Sequence, residues 1–430
     1  MPRLAPAARS EKNLKVIIVA FKDLERNTRV FRQAAALSSR GHDVTVFALQ
    51  NPDRDLMRSG PDIRFVETGV LAFDFPKTLK IRDEPAGIAQ RLRKYGRGLW
   101  RRTVMQLFTR RYVFAREAAR RFRGDRFDLI LAHDHHSILA ATAIKLFASG
   151  TLAVDYVEAP YHHDHKEAGP RPGFFRRIEI FVERQLLRLG RLSFTVSHGL
   201  ADLLKERGFA ASSHVIRNVR YHVAVSGQSS IRQDAGLGEG QKLIVHLNTV
   251  YAGQGVEEVI EAMPFVARHI RFATLGKFAP PDYETFLREK ARSLGVSERV
   301  SFLPLVKSPD LLDYLSGADA GVNVRQRTTL NNRISLPNRV FEMIGAELPV
   351  VSTTIRDMRN IVETYGVGVI CDETNPRDIA EKINFLMHPD NLPRYKRNCK
   401  IAFRELCWDR EGEIFSGILE EHLSSRADRR

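Results

Sequence analysis

Long apolar runs are missing from this 430-residue chain. Nothing in it approaches the roughly 20 consecutive apolar residues that a bilayer-spanning helix requires, so a helical integral membrane protein is excluded. The leader Met1–Asn13 carries Arg3, Arg9 and Lys12 without an apolar core, and is expected to be a frayed tail instead of a signal peptide. Cysteine is scarce too. Cys371, Cys399 and Cys407 are the only three, none in a C-x-x-C pair or at metal-ligand spacing. They are expected to be buried small hydrophobes in a reducing compartment, which with the missing leader implies a cytoplasmic protein. Acidic residues are outnumbered: 51 Asp+Glu face 67 Lys+Arg, a net charge of +16. Such an excess favours nucleic acid, phosphorylated small molecules or an anionic lipid surface. An RNP-type aromatic pattern, zinc-finger spacing and a KH loop are all lacking, so no nucleic-acid partner is expected.

What the chain does contain is an alternation of β-rich apolar runs and helical patterns over its whole length. The runs at Leu14–Phe21, Val44–Ala48, Leu129–Leu131, Leu152–Val154 and Phe194–Val196 read as buried strands, and Val30–Arg40 as an amphipathic helix closed by Gly41. An aperiodic segment with Ser226, Gly227, Gly236, Gly238 and Gly240 interrupts the series. A second series follows, with strands at Leu243–Val245, Ile270–Leu275, Val300–Leu303, Ala320–Val324 and Pro349–Ser352 and helices at Val256–Arg268 and Asn338–Ala346. The expected fold class is α/β, with two doubly wound Rossmann-like domains facing across a cleft. The expected boundaries are a leader at 1–13, a first domain at 14–220, a linker at 221–241, a second domain at 242–405, and a C-terminal helix at 406–430 that packs back on the first domain. Ligands in such folds bind at the carboxyl ends of the strands.

The positive charge is concentrated in a helical region at 86–126. Between Arg91 and Arg126 only Glu117 and Asp125 oppose a series of arginines that includes Arg97, Arg101, Arg102, Arg116 and Arg120, interleaved with Trp100, Leu107, Phe108 and Tyr112. The mixture fits a helix in an anionic lipid interface, and it also fits a solvated helical face with a few core contacts.

The most informative run is Leu330–Ser352, in which Ser335, Leu336 and Pro337 precede a helix that begins at Asn338. Backbone N–H groups point out of such a helix start and favour a diphosphate. Glu342 stands about one turn inside, where a carboxylate can accept hydrogen bonds from a ribose diol or be salt-bridged.

This run resembles the "SLPNK-x-FE-x-x-x-AG-x-PVV" donor segment of glycosyltransferase family 4, retaining enzymes of the GT-B fold. Other stretches resemble the family in order along nearly the whole chain: Asn27–Ala34 with Gly41–Val46, Leu131–Asp134, Val154–Glu158, Thr195–Ala201, Val215–Asn218, Gly253–Ala262, and Asn398–Phe403 with Trp408. The resemblance implies transfer of a sugar from a nucleotide-sugar to a lipid-linked or saccharide acceptor, with retention of anomeric configuration. The His-x-His spacing of His133 and His135 around Asp134 could suggest a metal site, but no second ligand cluster accompanies it, so neither metal nor other cofactor is expected. The resemblance also implies an acceptor-binding first domain and a donor-binding second domain. The donor-binding candidates are Glu342, Arg339, Asn338, Pro337, Leu336, Ser335, Gln254, Gly255, Lys277 and Arg325. The catalytic candidates are Asp134, Asp155 and Glu158, the last two because their family positions face the cleft. Asp134 at a strand end could orient an acceptor hydroxyl or take its proton. A peripheral position on the inner face of the membrane would bring the acceptor to the cleft.

Three departures bear on activity. Ile334 stands where the family usually has the first of two glutamates, although the "SLPNK" branch also lacks it. Gln254 replaces a diphosphate-binding cation, and Val157 replaces a sugar-contacting histidine, for which His162, His163, Asp164 and His165 are nearby candidates. These departures keep a rival reading open, that of a catalytically weak or inactive partner subunit. A sugar-nucleotide epimerase on the same fold is a second rival, opposed by the "SLPN" segment and the C-terminal tail.

Overall fold

The structure is a computed structural model and describes residues 13–24, 28–50, 63–68, 110–160, 174–247, 249–306, 310–334 and 336–427. Most of the basic stretch, Ser335, Asn27 and the histidines at 162, 163 and 165 lie outside the described residues.

Two wholly parallel sheets dominate. The first has seven strands: β1 (Lys15–Asp23), β2 (Asp43–Gln50), β3 (Ile63–Glu67), β4 (Arg126–His133), β5 (Ser149–Tyr156), β6 (Leu192–Thr195) and β7 (His214–Val215). Their spatial order is β3-β2-β1-β4-β5-β6-β7. The second has six: β8 (Lys242–Leu247), β9 (Ile270–Leu275), β10 (Val300–Leu303), β11 (Ala320–Asn323), β12 (Val350–Thr353) and β13 (Gly368–Cys371), in the order β10-β9-β8-β11-β12-β13. In each sheet the order reverses beside the first strand, the switch point at which open α/β sheets form ligand crevices.

Helices cover both faces, so central strands are apolar on both sides: Val16 to Ala20 are all buried. The Thr28–Ser39 helix ends where Gly41, at φ +91°, donates its N–H to the Ser38 carbonyl, a left-handed stop that glycine adopts without strain. The expected helix from Val256 runs only to Ala262 and then tightens into a 3₁₀ turn at Met263–Phe265, because Pro264 cannot donate the next helical bond. The three cysteines are free and buried. Among the described residues no helix is long and apolar enough to cross a membrane.

The segment at 221–241 contains one short helix, Ile231–Asp234, tied to the second sheet's side by Arg232 to Asp319 at 3.0 Å. The final helix, Trp408–Ala427, lies along Thr28–Ser39 of the first domain. Gly412 permits the close approach, since a Cβ there would stand 3.4 Å from the Ala36 Cβ and 3.1 Å from the Trp408 indole nitrogen. Trp408, Phe415 and Leu419 are buried, each contributing about 1.5–3 kcal/mol by leaving water. Arg40 fixes the far end with a two-pronged contact to Glu420 at 2.8 and 2.7 Å.

Candidate functional site

On the first domain, β4 and β5 deliver Asp134 and Asp155 side by side, and the Asp134 N–H donates to the Asp155 carbonyl at 2.8 Å. Asp134 adopts φ +66°, a conformation that costs a non-glycine residue about 1–3 kcal/mol unless its surroundings impose it. Here they do. One carboxylate oxygen accepts from the His135 N–H at 2.9 Å and lies 3.0 Å from the His135 ring, while the other accepts from Lys22 Nζ at 2.9 Å. Burial pushes the Asp134 pKa up, but His135 and then Lys22 outweigh it and hold the group well below the carboxylate range. For Lys22, burial works downward, and Asp134, with Glu158 and Asp155 beyond it, raises the pKa.

Asp155 departs from the expectation that it faces the cleft. It is fully buried, held by Arg29 through Nε and Nη2 at 2.8 Å each and by Gln33 at 2.9 Å, with His133 Nδ1 at 3.3 Å. Burial again pushes its pKa up, and the Arg29 charge and hydrogen bonds carry it below the usual range. Such a carboxylate fixes the helix Thr28–Ser39 against the sheet instead of meeting an acceptor. Glu158, two residues past β5, is exposed, and its charge reaches Lys22.

Asp134, His135 and His136 bring possible ligand atoms within 4.8 Å of one another. The neighbours of this cluster are cations: Lys22 on Asp134, and the Arg111 guanidinium on His136 Nδ1. Burial first, then the charges of His135 and Arg111, lower the His136 pKa to about 2, so its ring is neutral.

On the second domain, β8, β11 and the helix Asn338–Gly345 converge. Pro337 begins that helix in an extended conformation and offers no side-chain cap, which leaves the first N–H groups without an acceptor from the helix itself. Asn338 is exposed, Leu336 and Arg339 are buried, and Pro337 is half-buried. Arg339 donates through Nη1 to His246 Nε2 at 2.8 Å and to the Leu247 carbonyl at 3.3 Å, and through Nη2 to Gln254 Oε1. Burial, then the Arg325 charge, lowers its pKa to about 9, which leaves it cationic at neutral pH. His246 is held neutral by burial and by Arg339, as an acceptor to that guanidinium must be.

Gln254 lies between Gly253 and Gly255, at φ +85° and +91°. A Cβ on Gly255 would stand 2.3 Å from the Val324 carbonyl, so only glycine lets this loop close on β11. With its oxygen on Arg339, Gln254 directs Nε2, which is buried and has no hydrogen-bond partner among the described residues. Arg339 Nε is in the same state. Glu342 likewise makes no hydrogen bond among the described residues. Burial raises its pKa against the opposing charges of Arg220, Arg32 and Arg339. Lys277 is exposed past the end of β9, and Arg325 is half-buried beside Arg339.

Sequence reasoning missed Lys22, Arg29, Arg32, Arg220 and His246. Of these only Lys22, directly past a strand's apolar run, carried a local signal. Ile334 packs at the seam between the domains: its carbonyl accepts from Ser197 Oγ at 3.0 Å, while Gly199 donates to Asp357 at 2.7 Å. A pocket of about 180 Å³ opens there, lined in part by His198, Arg217, Leu336 and Tyr365.

Two family descriptions match, one on each domain. Residues 27–219 match "Glycosyltransferase Family 4", and residues 241–388 match "Glycosyl transferases group 1". The chain is a GT-B glycosyltransferase. Among solved structures this glycosyltransferase is similar to Anabaena HepE in complex with UDP, at TM-score 0.67 and 15% identity, covering 96% of this chain and 100% of that one. It is similar to sucrose-phosphate synthase from Thermosynechococcus elongatus at TM-score 0.63 and 12% identity, with 96% and 100% covered. A curated relative, N-acetyl-alpha-D-glucosaminyl L-malate synthase of Bacillus anthracis, is 18% identical over 166 residues, 39% of this chain and 41% of that enzyme.

Proposed function

We propose that this glycosyltransferase moves a sugar from a nucleotide-sugar onto a lipid-linked or saccharide acceptor, with retention of configuration. The observation that carries this reading is the convergence on the second domain of the buried, unpartnered Gln254 Nε2, the uncapped start of Asn338–Gly345 and the partly buried Glu342 carboxylate, which burial and neighbouring arginines perturb. Buried polar atoms without partners are costly, and a nucleoside diphosphate supplies what each one lacks. Glu342 would accept from the ribose diol, while Gln254 Nε2 and the helix start would donate to the diphosphate. Arg339, polarising Gln254 from behind, would stabilise charge on the departing nucleoside diphosphate. HepE, a structural neighbour, is named in complex with UDP and with UDP-glucose, which supports the donor class.

On the acceptor side, Lys22, partly exposed and fixed by the buried Asp134, would orient a hydroxyl, and a donor phosphate oxygen would help to deprotonate it, so no side-chain nucleophile is required. No metal enters this scheme, because Lys22 and Arg111 already bring positive charge to the Asp134 and His136 side chains. The reading places the enzyme in the cytoplasm, on the inner face of a membrane that presents the acceptor.

A second reading, a catalytically weak partner subunit, draws on Ile334, whose main chain is committed to the interdomain seam. Thermal-shift measurement against a panel of nucleotides and nucleotide-sugars separates the two, since a ligand that binds the native state raises Tm by linkage. A stabilising donor that is then hydrolysed or transferred, with the product's anomeric configuration read by NMR, supports the enzyme. Stabilisation without turnover supports the partner subunit, and no response to any nucleotide ends the donor reading.

A further inference from the structure

The Phe174–Leu187 helix has two apolar faces where a surface helix needs one. Its inner face buries Leu187 and packs Ile180 against the first domain's core. Its outer face presents Ile178, Phe181 and Val182, at 45%, 62% and 43% exposure, spaced i, i+3 and i+4 so that they form one stripe. The helix at 110–121 adjoins it through Arg111, which reaches Glu183 at 2.5 Å, and adds Tyr112 and Val113 to the exposed apolar surface. Large apolar side chains gathered on one face mark an interaction surface, whereas single ones do not.

Charge selects the partner. The segments 110–123 and 174–191 contain eleven arginines against three glutamates. One of those glutamates, Glu183, is buried on Arg111 and adds nothing to the surface. Among the described residues no carboxylate pairs with Arg177, Arg184 or Arg188. Arg184 and Arg188 donate to the backbone carbonyls of Arg207 and Gly208, which leaves their charge uncancelled. An apolar stripe rimmed by unneutralised guanidinium groups complements anionic headgroups above an acyl layer.

We propose that the Phe174–Leu187 helix, with the adjoining helix at 110–121, is a docking face for an anionic lipid bilayer. Ile178, Phe181 and Val182 enter the interface, and the flanking arginines meet lipid phosphates. This deepens, and rests on, the reading of an acceptor held at a membrane. Arg111, buried between Glu183 and His136, ties the face to the cluster beside Asp134, so a docked bilayer has a fixed orientation to the acceptor side of the cleft.

The test uses the full chain and vesicles of phosphatidylcholine alone or of an equimolar mixture with phosphatidylglycerol. Wild type is expected to co-sediment only with the anionic vesicles, and less as salt rises. The triple variant Ile178→Ser, Phe181→Ser, Val182→Ser should bind about tenfold more weakly, because insertion scales with buried apolar area. Its Tm should match wild type, since these side chains are exposed. The pair Arg177→Glu and Arg188→Glu should remove most of the salt dependence. Wild type that ignores both vesicles, or a triple variant that binds like wild type, overturns the proposal. A wild-type dimer that the triple variant converts to monomer overturns it in favour of a second copy on this face. The nucleotide thermal-shift panel run on the same samples keeps the readings apart: vesicle binding without any nucleotide response sinks the donor reading and leaves the docking face in place.

Discussion

Asp155 and Glu342 are both carboxylates set among arginines near the cleft, and they are treated oppositely. Asp155 accepts three hydrogen bonds from Arg29 and Gln33, and its pKa falls. Glu342 accepts none among the described residues although Arg220, Arg32 and Arg339 lie around it, and its pKa rises. The difference lies in geometry. Arg29 presents its planar fork to Asp155, so the pair satisfies itself and holds the fold. The arginines near Glu342 supply field without contact: Arg339 is turned to His246 and Gln254, and Arg32 to Asn218. A carboxylate left unbonded among cations is suited to an incoming hydroxyl pair. Saturation therefore separates framework from site more reliably than residue type does.

The strongest test of this contrast is Asp155→Asn. Removing one partner of a buried pair strands the other charge, and the expected loss is about 3–5 kcal/mol in urea denaturation. Because the folded pKa of Asp155 is depressed, its contribution is fully present above the ordinary value of 3.8 and is lost as pH falls through the folded value. The gap between wild type and variant should thus stay constant from neutral pH down to that region and shrink only in stronger acid. A variant as stable as wild type would remove Asp155 from the framework.

Arg339→Ala comes next. It should lower kcat about 100-fold, roughly 2.7 kcal/mol, with a smaller change in KM, because leaving-group charge is greatest in the transition state. Equal changes in KM alone would assign Arg339 to ground-state binding. Gln254→Arg should also lower turnover, since it forces a second guanidinium against the buried Arg339.

Glu342→Gln sharpens the contrast from the other side. Nucleotide affinity should fall about 10- to 100-fold by calorimetry, about 1.4 kcal/mol for each factor of ten. Stability at neutral pH should hold or rise, because a carboxylate with a raised folded pKa is less stable charged in the protein than in the unfolded chain. Wild-type affinity should weaken as pH drops through a range above the ordinary 4.5, and the variant should lack this dependence. A Gln variant destabilised as strongly as Asp155→Asn would erase the distinction. The smallest effect is expected at the exposed interdomain pair Arg356–Asp202, where Arg356→Ala should leave Tm and affinity unchanged.

The two sheets were legible because central parallel strands are continuous apolar runs, and only their charged ends, such as Arg126 and Asp43, escaped notice. The edge strands β3 and β13 were not anticipated: Ile63–Glu67 alternates apolar and charged residues, and Gly368–Cys371 is too short to show a period. The site divides in the same way. Pro337 to Glu342 could be read because a helix start is written in consecutive residues. Arg29 could not be matched to Asp155, which lies 126 positions away, nor Arg339 to His246 at 93, because only the crossovers of the sheet bring them together. That is also why Asp155 was expected to face the cleft: its strand-end position is local information, whereas its partner is not.

The last helix carries a consequence for how this protein is made. Trp408 seals against Arg32 through its indole N–H at 3.2 Å, and Glu411 and Glu420 clasp Arg217 and Arg40. A piece of the first domain is therefore made only after the whole of the second domain. Domains fold as units during synthesis, the N-terminal one first where its residues are contiguous. Here the second domain can be complete while the Thr28–Ser39 helix still exposes the apolar strip that Trp408, Phe415 and Leu419 will cover. The nascent chain passes through a stage with one finished half and one unsealed half, and only synthesis of the Trp408–Ala427 helix ends it.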